Sequence, residues 1–151
     1  MLVEERFRVK APIQEVWDFL VDPEKIGPCV PGCEKIEVVG ENVYESSVKV
    51  KVGVISLTMK SRTTLTEVDP PRHLKSVTEG RDALKAGTLY QESVVDLSEV
   101  SENEVEISYS ANTRVVGKLA TFGEKVMRAT AKKLGEEFAR NIQAGIGKTG
   151  E

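Results

Sequence analysis

An α+β fold is the class this sequence predicts: a curved antiparallel sheet of about seven strands, two short helices near the N-terminus, and a long C-terminal helix closing a cavity. Three observations carry that expectation. Strand-like runs follow one another at intervals of about 8–15 residues, separated by polar turns, which is the pattern of an antiparallel meander. The stretch from Gly117 to Gly145 contains no proline and keeps a helical period over its whole length. A sheet with one apolar face needs that face covered, and this last helix is the one element long enough to do it.

The 151 residues fit one domain with enough chain to bury a core. Residues 1–147 are expected to form that domain, and residues 148–151 a short polar tail. A hydrophobic fraction of 40% and a charged fraction of 30% are ordinary for a globular chain. Net charge is −3 with both signs interspersed, which leaves no electrostatic footprint for nucleic acid. The N-terminus MLVEERFRVK is charged from residue 4, unlike a signal peptide. No apolar run approaches the ~20 residues of a membrane span. A cytoplasmic protein is the expectation.

In chain order, residues 2–9 alternate loosely and read as a strand. Ala11-Pro12 ends it, and Pro12 suits the first turn of a helix. Ile13, Val16, Trp17 and Leu20 then share one helical face, up to Asp22-Pro23. A short turn from Glu24 to Ile26 leads into Gly27-Pro28-Cys29-Val30-Pro31-Gly32, too rich in proline and glycine for regular structure. Strands are expected at 34–39, 44–52, 55–68, 73–79, 88–97 and 104–113. Between the third and fourth of these, Asp69-Pro70-Pro71-Arg72 is a turn, because each proline fixes φ and cannot donate to a ladder. Residues 80–87 read as a loop or wide bulge.

The helix at 117–145 carries two neighbouring rows. One is bulky: Leu119, Phe122, Val126, Leu134, Phe138 and Ile142, recurring every four residues from Val126 on, through Thr130. A four-residue repeat advances about 40° per step, so this stripe winds around the axis and suits a curved partner. The second row is mostly small: Gly123, Met127, Ala131, Gly135 and Ala139. The facing strands are unusual too. Leu57 and Met59 share a face with Ser61 and Thr63, Leu89 with Gln91 and Ser93, and Tyr44 and Ser46 with Val48 and Val50. A close-packed core seldom holds so many hydroxyls and an amide. Two readings stand: an apolar cavity with a few polar groups beside the small row, or close packing of that row onto the sheet.

Candidates for chemistry are few. Cys29 and Cys33 form a C-x3-C pair, and the one histidine, His73, is too distant in sequence to suggest a zinc set. Two reduced thiols are expected. His73 opens a strand after a proline turn and is expected to face solvent. Tyr44 and Tyr109 are able to donate protons in a cavity, or to edge a core. Glu79 and Asp82 flank Gly80-Arg81 in a charged loop. No phosphate-binding glycine loop and no G-x-S-x-G elbow is present.

The segments Ala11-Pro12 with Val16-Trp17-Asp18-Phe19-Leu20 and Asp22-Pro23, then Cys29-Val30-Pro31-Gly32-Cys33, Asp69-Pro70-Pro71 and Val115 to Gly123 together resemble one family. It is the CoxG-type (carbon monoxide dehydrogenase G-subunit) group of the SRPBCC/START-like helix-grip superfamily. The resemblance covers nearly the whole chain. It implies a helix-grip fold with an elongated cavity between sheet and C-terminal helix, and an accessory role beside a molybdenum hydroxylase of the carbon monoxide dehydrogenase type. Roles proposed for the group are recruiting that enzyme to the membrane and handling a lipophilic electron acceptor such as a quinone. Some members carry a further C-terminal segment suited to membrane association. This sequence stops soon after the helix, so membrane contact is expected to be at most peripheral.

Three functional readings follow. The leading one is a non-catalytic protein that shelters an apolar molecule, a quinone or other lipid, with no resident cofactor or metal. Its cavity is expected to be lined by Tyr44, Val48, Leu57, Met59, Ser61, Thr63, Leu89, Gln91 and Tyr109 from the sheet, and by Phe122, Gly123, Val126, Met127, Thr130, Ala131 and Leu134 from the helix. The second is a recruitment module for the molybdenum hydroxylase without a ligand. The third is a cyclase- or hydrolase-type enzyme using tyrosine, histidine or glutamate in the cavity.

Overall fold

The computed structural model describes residues 1–149, with side chains through residue 146. Its strands are β1 (Leu2–Val9), β2 (Cys33–Gly40), β3 (Val43–Val52), β4 (Ile55–Asp69), β5 (His73–Asp82), β6 (Thr88–Ser101) and β7 (Glu104–Val116). All pair antiparallel in one sheet, in the order β1-β7-β6-β5-β4-β3-β2. The chain therefore runs as a meander from β2 to β7 and closes by laying β7 on β1. Helices α1 (Ile13–Val21) and α2 (Pro23–Ile26), with a 3-10 turn at Gly27–Cys29, carry the chain from one edge strand to the other. Helix α3 (Glu124–Thr149) lies across the inner face. It thus runs through the first two residues of the expected tail, and residues 150 and 151 lie outside the described residues.

Local chemistry explains the ends of these elements. Pro12 precedes α1 with an extended backbone, and Val16 donates its N–H back to the Pro12 carbonyl at 3.1 Å. Val16, Trp17 and Phe19 of α1 are buried, while Ile13 and Leu20 pack beside them. Asp22 caps α2 by accepting from the Glu24 N–H at 2.9 Å, satisfying one of the free donors of the first turn.

Two expectations are corrected. Strand β5 continues through Gly80 to Asp82. Gly80 marks close packing within a strand: a Cβ there would stand 2.6 Å from the Ser61 hydroxyl. Asp82 is buried, and its carboxylate accepts from the backbone N–H of Thr58 at 3.1 Å, Leu84 at 3.0 Å and Ala86 at 3.2 Å. That carboxylate folds the β5–β6 turn over the end of β4. The second correction is at the C-terminal helix, which does not start at Gly117. Lys118–Phe122 form a separate 3-10 turn, and the α-helix begins only at Glu124. Gly117 and Gly123, at φ 91° and 88°, bracket that turn in conformations that a side chain disfavours. The turn is fixed instead by Leu119, which is buried and donates its N–H to the Ala86 carbonyl at 3.0 Å.

Two apolar clusters sit at opposite ends of the inner face. One joins Val16, Trp17, Phe19, Cys29, Leu97, Val105, Ile107, Ile142 and Ile146, knitting α1 and the second half of α3 to β1, β6 and β7. The other joins Val52, Leu57, Met59 and Leu119. Between them the small row of α3 divides its roles. A Cβ on Gly135 would meet Val3 Cγ1 at 3.1 Å, so here the helix lies directly on β1. Ala131, one turn earlier, faces a void that Gly135 also borders.

Candidate functional site

That void is a cavity of about 450 Å3 between the concave face of the sheet and α3, within the range of small-molecule sites. Strand register arranges its floor in cross-strand rows. Tyr44, Thr63, Thr78, Gln91 and Thr113 stand side by side on β3 to β7. The next row toward one end is Leu65, Ser76, Ser93, Ala111 and Val3. Beyond it come Leu74, Val95 and Tyr109. On the other side the floor changes through Ser61 and Leu89 to Val48, Met59, Val50 and Leu57. The cavity therefore has a polar waist, an apolar end at Val50, Leu57 and Met59, and a mixed end where Tyr109 and Glu5 stand beside Leu74 and Val95.

The waist satisfies much of its own hydrogen bonding, which is why the sheet tolerates it. The Thr63 and Thr78 hydroxyls bond each other at 2.8 Å. Thr113 donates to Gln91 Oε1 at 3.0 Å, and Gln91 Nε2 donates to the Ser93 hydroxyl at 3.1 Å. Among the described residues, no buried side-chain polar atom lacks a partner. Spare donors remain, because an amide carries two N–H groups and each hydroxyl pair leaves one proton uncommitted. Burial pushes the Tyr109 phenol pKa up, partly offset by hydrogen bonding to Ser93, and burial also raises Tyr44, with the charge of Asp22 adding to it. Both are neutral phenols at neutral pH. Tyr109 also packs edge-on against Phe138 of α3, ring centres 5.7 Å apart. Among the described residues that line it none is a lysine, arginine or histidine; the charged groups there are the Glu5 carboxylate and the Met1 ammonium, which donates to the Thr113 carbonyl at 3.0 Å.

The structure brings most of the sequence-derived cavity residues together. Tyr44, Val48, Leu57, Met59, Ser61, Thr63, Leu89, Gln91 and Tyr109 line the cavity from the sheet, and Met127, Thr130, Ala131 and Leu134 from α3. Phe122, Gly123 and Val126 do not line it. The break at Gly123 sets Phe122 on the separate turn, where it packs on the Val52 cluster, and leaves Val126 39% exposed. Residues absent from the sequence reading are Glu5 and Phe7 on β1, Ser76 and Thr78 on β5, and Leu20, Val21, Ile26, Cys33 and Ile36 from the α1-to-β2 crossover. Period-two alternation from Leu74 through Thr78, and from Val3 through Phe7, carried the signal for the strand residues.

His73 falls outside the cavity. His73 stands at the β4–β5 turn, its Nδ1 2.7 Å from Asp96 and its Nε2 3.6 Å from Glu67, and the Asp96 hydrogen bond raises its pKa. Tyr44 and Tyr109 are four strands apart, about 19 Å along the sheet, so they do not form an acid–base pair. Cys29 and Cys33 are free thiols, and burial pushes both up in pKa. Among the described residues, no three His, Cys, Asp or Glu side chains gather as a metal set, and no helix is long and apolar enough to cross a membrane. A broad depression on the outer face of the sheet is lined by Lys60, Arg62, Arg81, Arg114, Glu45 and Glu79. It is charged and open to water.

Comparison with solved structures places this architecture. A conserved protein from Geobacillus kaustophilus superposes with a TM-score of 0.89 at 26% identity, over 100% of this chain and 98% of that one. A START superfamily protein from Mycobacterium smegmatis gives 0.75 at 11% identity, over 98% of both chains. The ZhuI aromatase/cyclase from Streptomyces sp. R1128 gives 0.71 at 17% identity, over 98% of this chain and 94% of that one. At such identities the last two show the fold alone. No curated protein matches the chain in sequence. The sequence profile of CoxG, the carbon monoxide dehydrogenase G-subunit family, matches residues 6–147, nearly the whole of the described fold, and the chain belongs to that CoxG family.

Proposed function

We propose that this protein binds a neutral lipophilic molecule, a quinone or similar lipid, between the sheet and α3, and serves as an accessory to a molybdenum hydroxylase of the carbon monoxide dehydrogenase type. The observation that carries the binding part is the uncharged polar waist of a mostly apolar cavity. Its apolar part favours hydrocarbon at about 0.8 kcal/mol per methylene. The waist offers hydroxyl and amide donors to a carbonyl or ether oxygen. A carboxylate or phosphate placed there would meet no lysine, arginine or histidine among the described lining residues, and the Met1 ammonium is already committed to Asn112 Oδ1 and the Thr113 carbonyl. A fatty acid therefore fits less well than a quinone of similar size. The accessory part is supported by the family match over residues 6–147.

Thermal-shift titration tests the chemistry. Short-chain quinones are expected to raise the melting temperature, while fatty acids of equal carbon number leave it unchanged. Equal stabilisation by both classes would sink the neutral-ligand reading. Affinity capture from a cell expressing a molybdenum hydroxylase of that type is expected to enrich the enzyme, and repeated failure to do so would remove the accessory role.

A further inference from the structure

Among the described residues lining the cavity, Glu5 is the one carboxylate. It stands on the inner face of β1, between Val3 and Phe7, directly opposite Tyr109 of β7. Cβ atoms so paired lie about 4.5–5.5 Å apart. Among the described residues no hydrogen bond or ion pair holds the Glu5 carboxylate. The Met1 ammonium, four residues back along β1 and so about 13 Å away, is tied to Asn112 and Thr113. A half-buried carboxylate with no partner is a cost to the fold. When ionised it can only accept hydrogen bonds.

Hydrogen bonds across the cavity floor run toward this group in one direction. Thr113 donates to Gln91 Oε1 at 3.0 Å, Gln91 Nε2 donates to the Ser93 hydroxyl at 3.1 Å, and Ser93 hydrogen-bonds the Tyr109 phenol. Ser93 accepts from Gln91 and gives its own proton to the phenol oxygen, so Tyr109 keeps its O–H to donate. The Tyr109 ring is held edge-on against Phe138, ring centres 5.7 Å apart. The run of donors therefore ends at a phenol proton beside an unfilled acceptor. A group that completes it accepts from Tyr109 and donates to Glu5. A hydroxyl does both. A carbonyl or ether oxygen has no proton for the carboxylate and turns lone pairs toward it.

We infer that Glu5 and Tyr109 together seat a hydroxyl of the bound lipid, so that the cavity takes the reduced, hydroquinone form of a quinone-type ligand in preference to the oxidised form. The inference rests on the neutral-lipid reading above and adds the redox state of the ligand to it. The oxidised ring has the donors of the waist. The reduced ring gains a charge-assisted bond to Glu5, the stronger kind. Both forms are uncharged and bury the same hydrocarbon, so the difference in affinity comes from the seat.

Paired calorimetric titrations test it. The probe is tetramethylbenzoquinone, which has no free ring position for the cavity thiol of Cys33 to attack, and the same compound reduced to its hydroquinone and kept free of oxygen. Wild type is expected to bind the hydroquinone at least about tenfold more tightly. In Glu5→Gln, whose amide donates as well as accepts, the preference falls below about threefold. Tyr109→Phe keeps the ring against Phe138 and weakens hydroquinone binding by at least about threefold, and quinone binding by less. Equal affinity of wild type for two forms that both bind overturns the inference and leaves the neutral-lipid reading standing. A preference that survives in Glu5→Gln, with melting temperature intact, also overturns it. If Glu5→Gln melts early, Tyr109→Phe decides, and unchanged hydroquinone binding there overturns the seat. Binding of neither form removes the neutral-lipid reading and this inference with it.

Discussion

Replacing Ala131 with leucine should separate an empty cavity from a packed core. Ala131 faces the cavity from the N-terminal half of α3, and three added carbons enter a space of about 450 Å3. They displace about as much ligand hydrocarbon, worth about 2 kcal/mol, so affinity for a cavity-filling ligand falls by about thirtyfold. The fold itself is expected to hold its melting temperature or gain slightly, because the new side chain moves from water into an apolar space. Gly135→Leu, one turn on, is the control. Its Cβ would stand 3.1 Å from Val3 Cγ1, where α3 already rests on β1. Overpacking there costs about 1–3 kcal/mol, or roughly 2–4 °C per kcal/mol for a chain of this size. The assays are differential scanning fluorimetry and a ligand titration on the same preparations. If Ala131→Leu melts as early as Gly135→Leu and leaves ligand affinity unchanged, no usable space exists beside Ala131 and the cavity account fails.

Three further outcomes follow from the geometry. Gln91→Leu removes the centre of the polar waist, so affinity for a carbonyl-bearing ligand should fall by about 1 kcal/mol or more while a hydrocarbon of equal size binds as before, measured by paired titrations. Asp82→Ala strips three backbone N–H groups of their acceptor and should destabilise by about 2–4 kcal/mol in urea unfolding, with faster hydrogen exchange in the β5–β6 turn. His73 has its pKa raised above 6.5, chiefly by the Asp96 hydrogen bond. Its contribution is therefore full below about pH 6.5 and is lost as pH rises through the folded-state value. Because the side chain is one-third exposed, the effect is below about 1 kcal/mol, and His73→Gln should flatten the unfolding midpoint against pH as pH rises above about 6.5.

The sequence disclosed most of the scaffold because its signals were local. Alternation along β3, β4 and β6 put Tyr44, Val48, Leu57, Met59, Gln91 and their neighbours on one face, and the structure lines a single cavity with them. The proline turn at 70–71 and the Asp22-Pro23 stop set element boundaries for reasons of backbone chemistry. What stayed hidden depended on contacts distant in sequence. Gly123 lies within an unbroken helical period, and the break there comes from Leu119 docking on the β5–β6 turn. Asp82 reads as a solvated charge until its three backbone donors are seen. The small row suggested one role, yet at Gly135, which also borders the cavity, a Cβ would meet Val3 of β1, whereas Ala131 faces open space. Glu5 and the crossover residues enter the site only once β1 pairs with β7 and the crossover closes one side.

The central claim is that the space between sheet and α3 holds a neutral lipid. Native mass spectrometry of the protein purified from its own cells, followed by organic extraction of the same sample, tests it most directly. The account predicts an adduct that leaves with organic solvent and is identified as an uncharged, carbonyl- or ether-bearing lipid such as a quinone. A protein that flies at its sequence mass alone, yields no extractable lipid and gains no thermal stability from added quinones would contradict it.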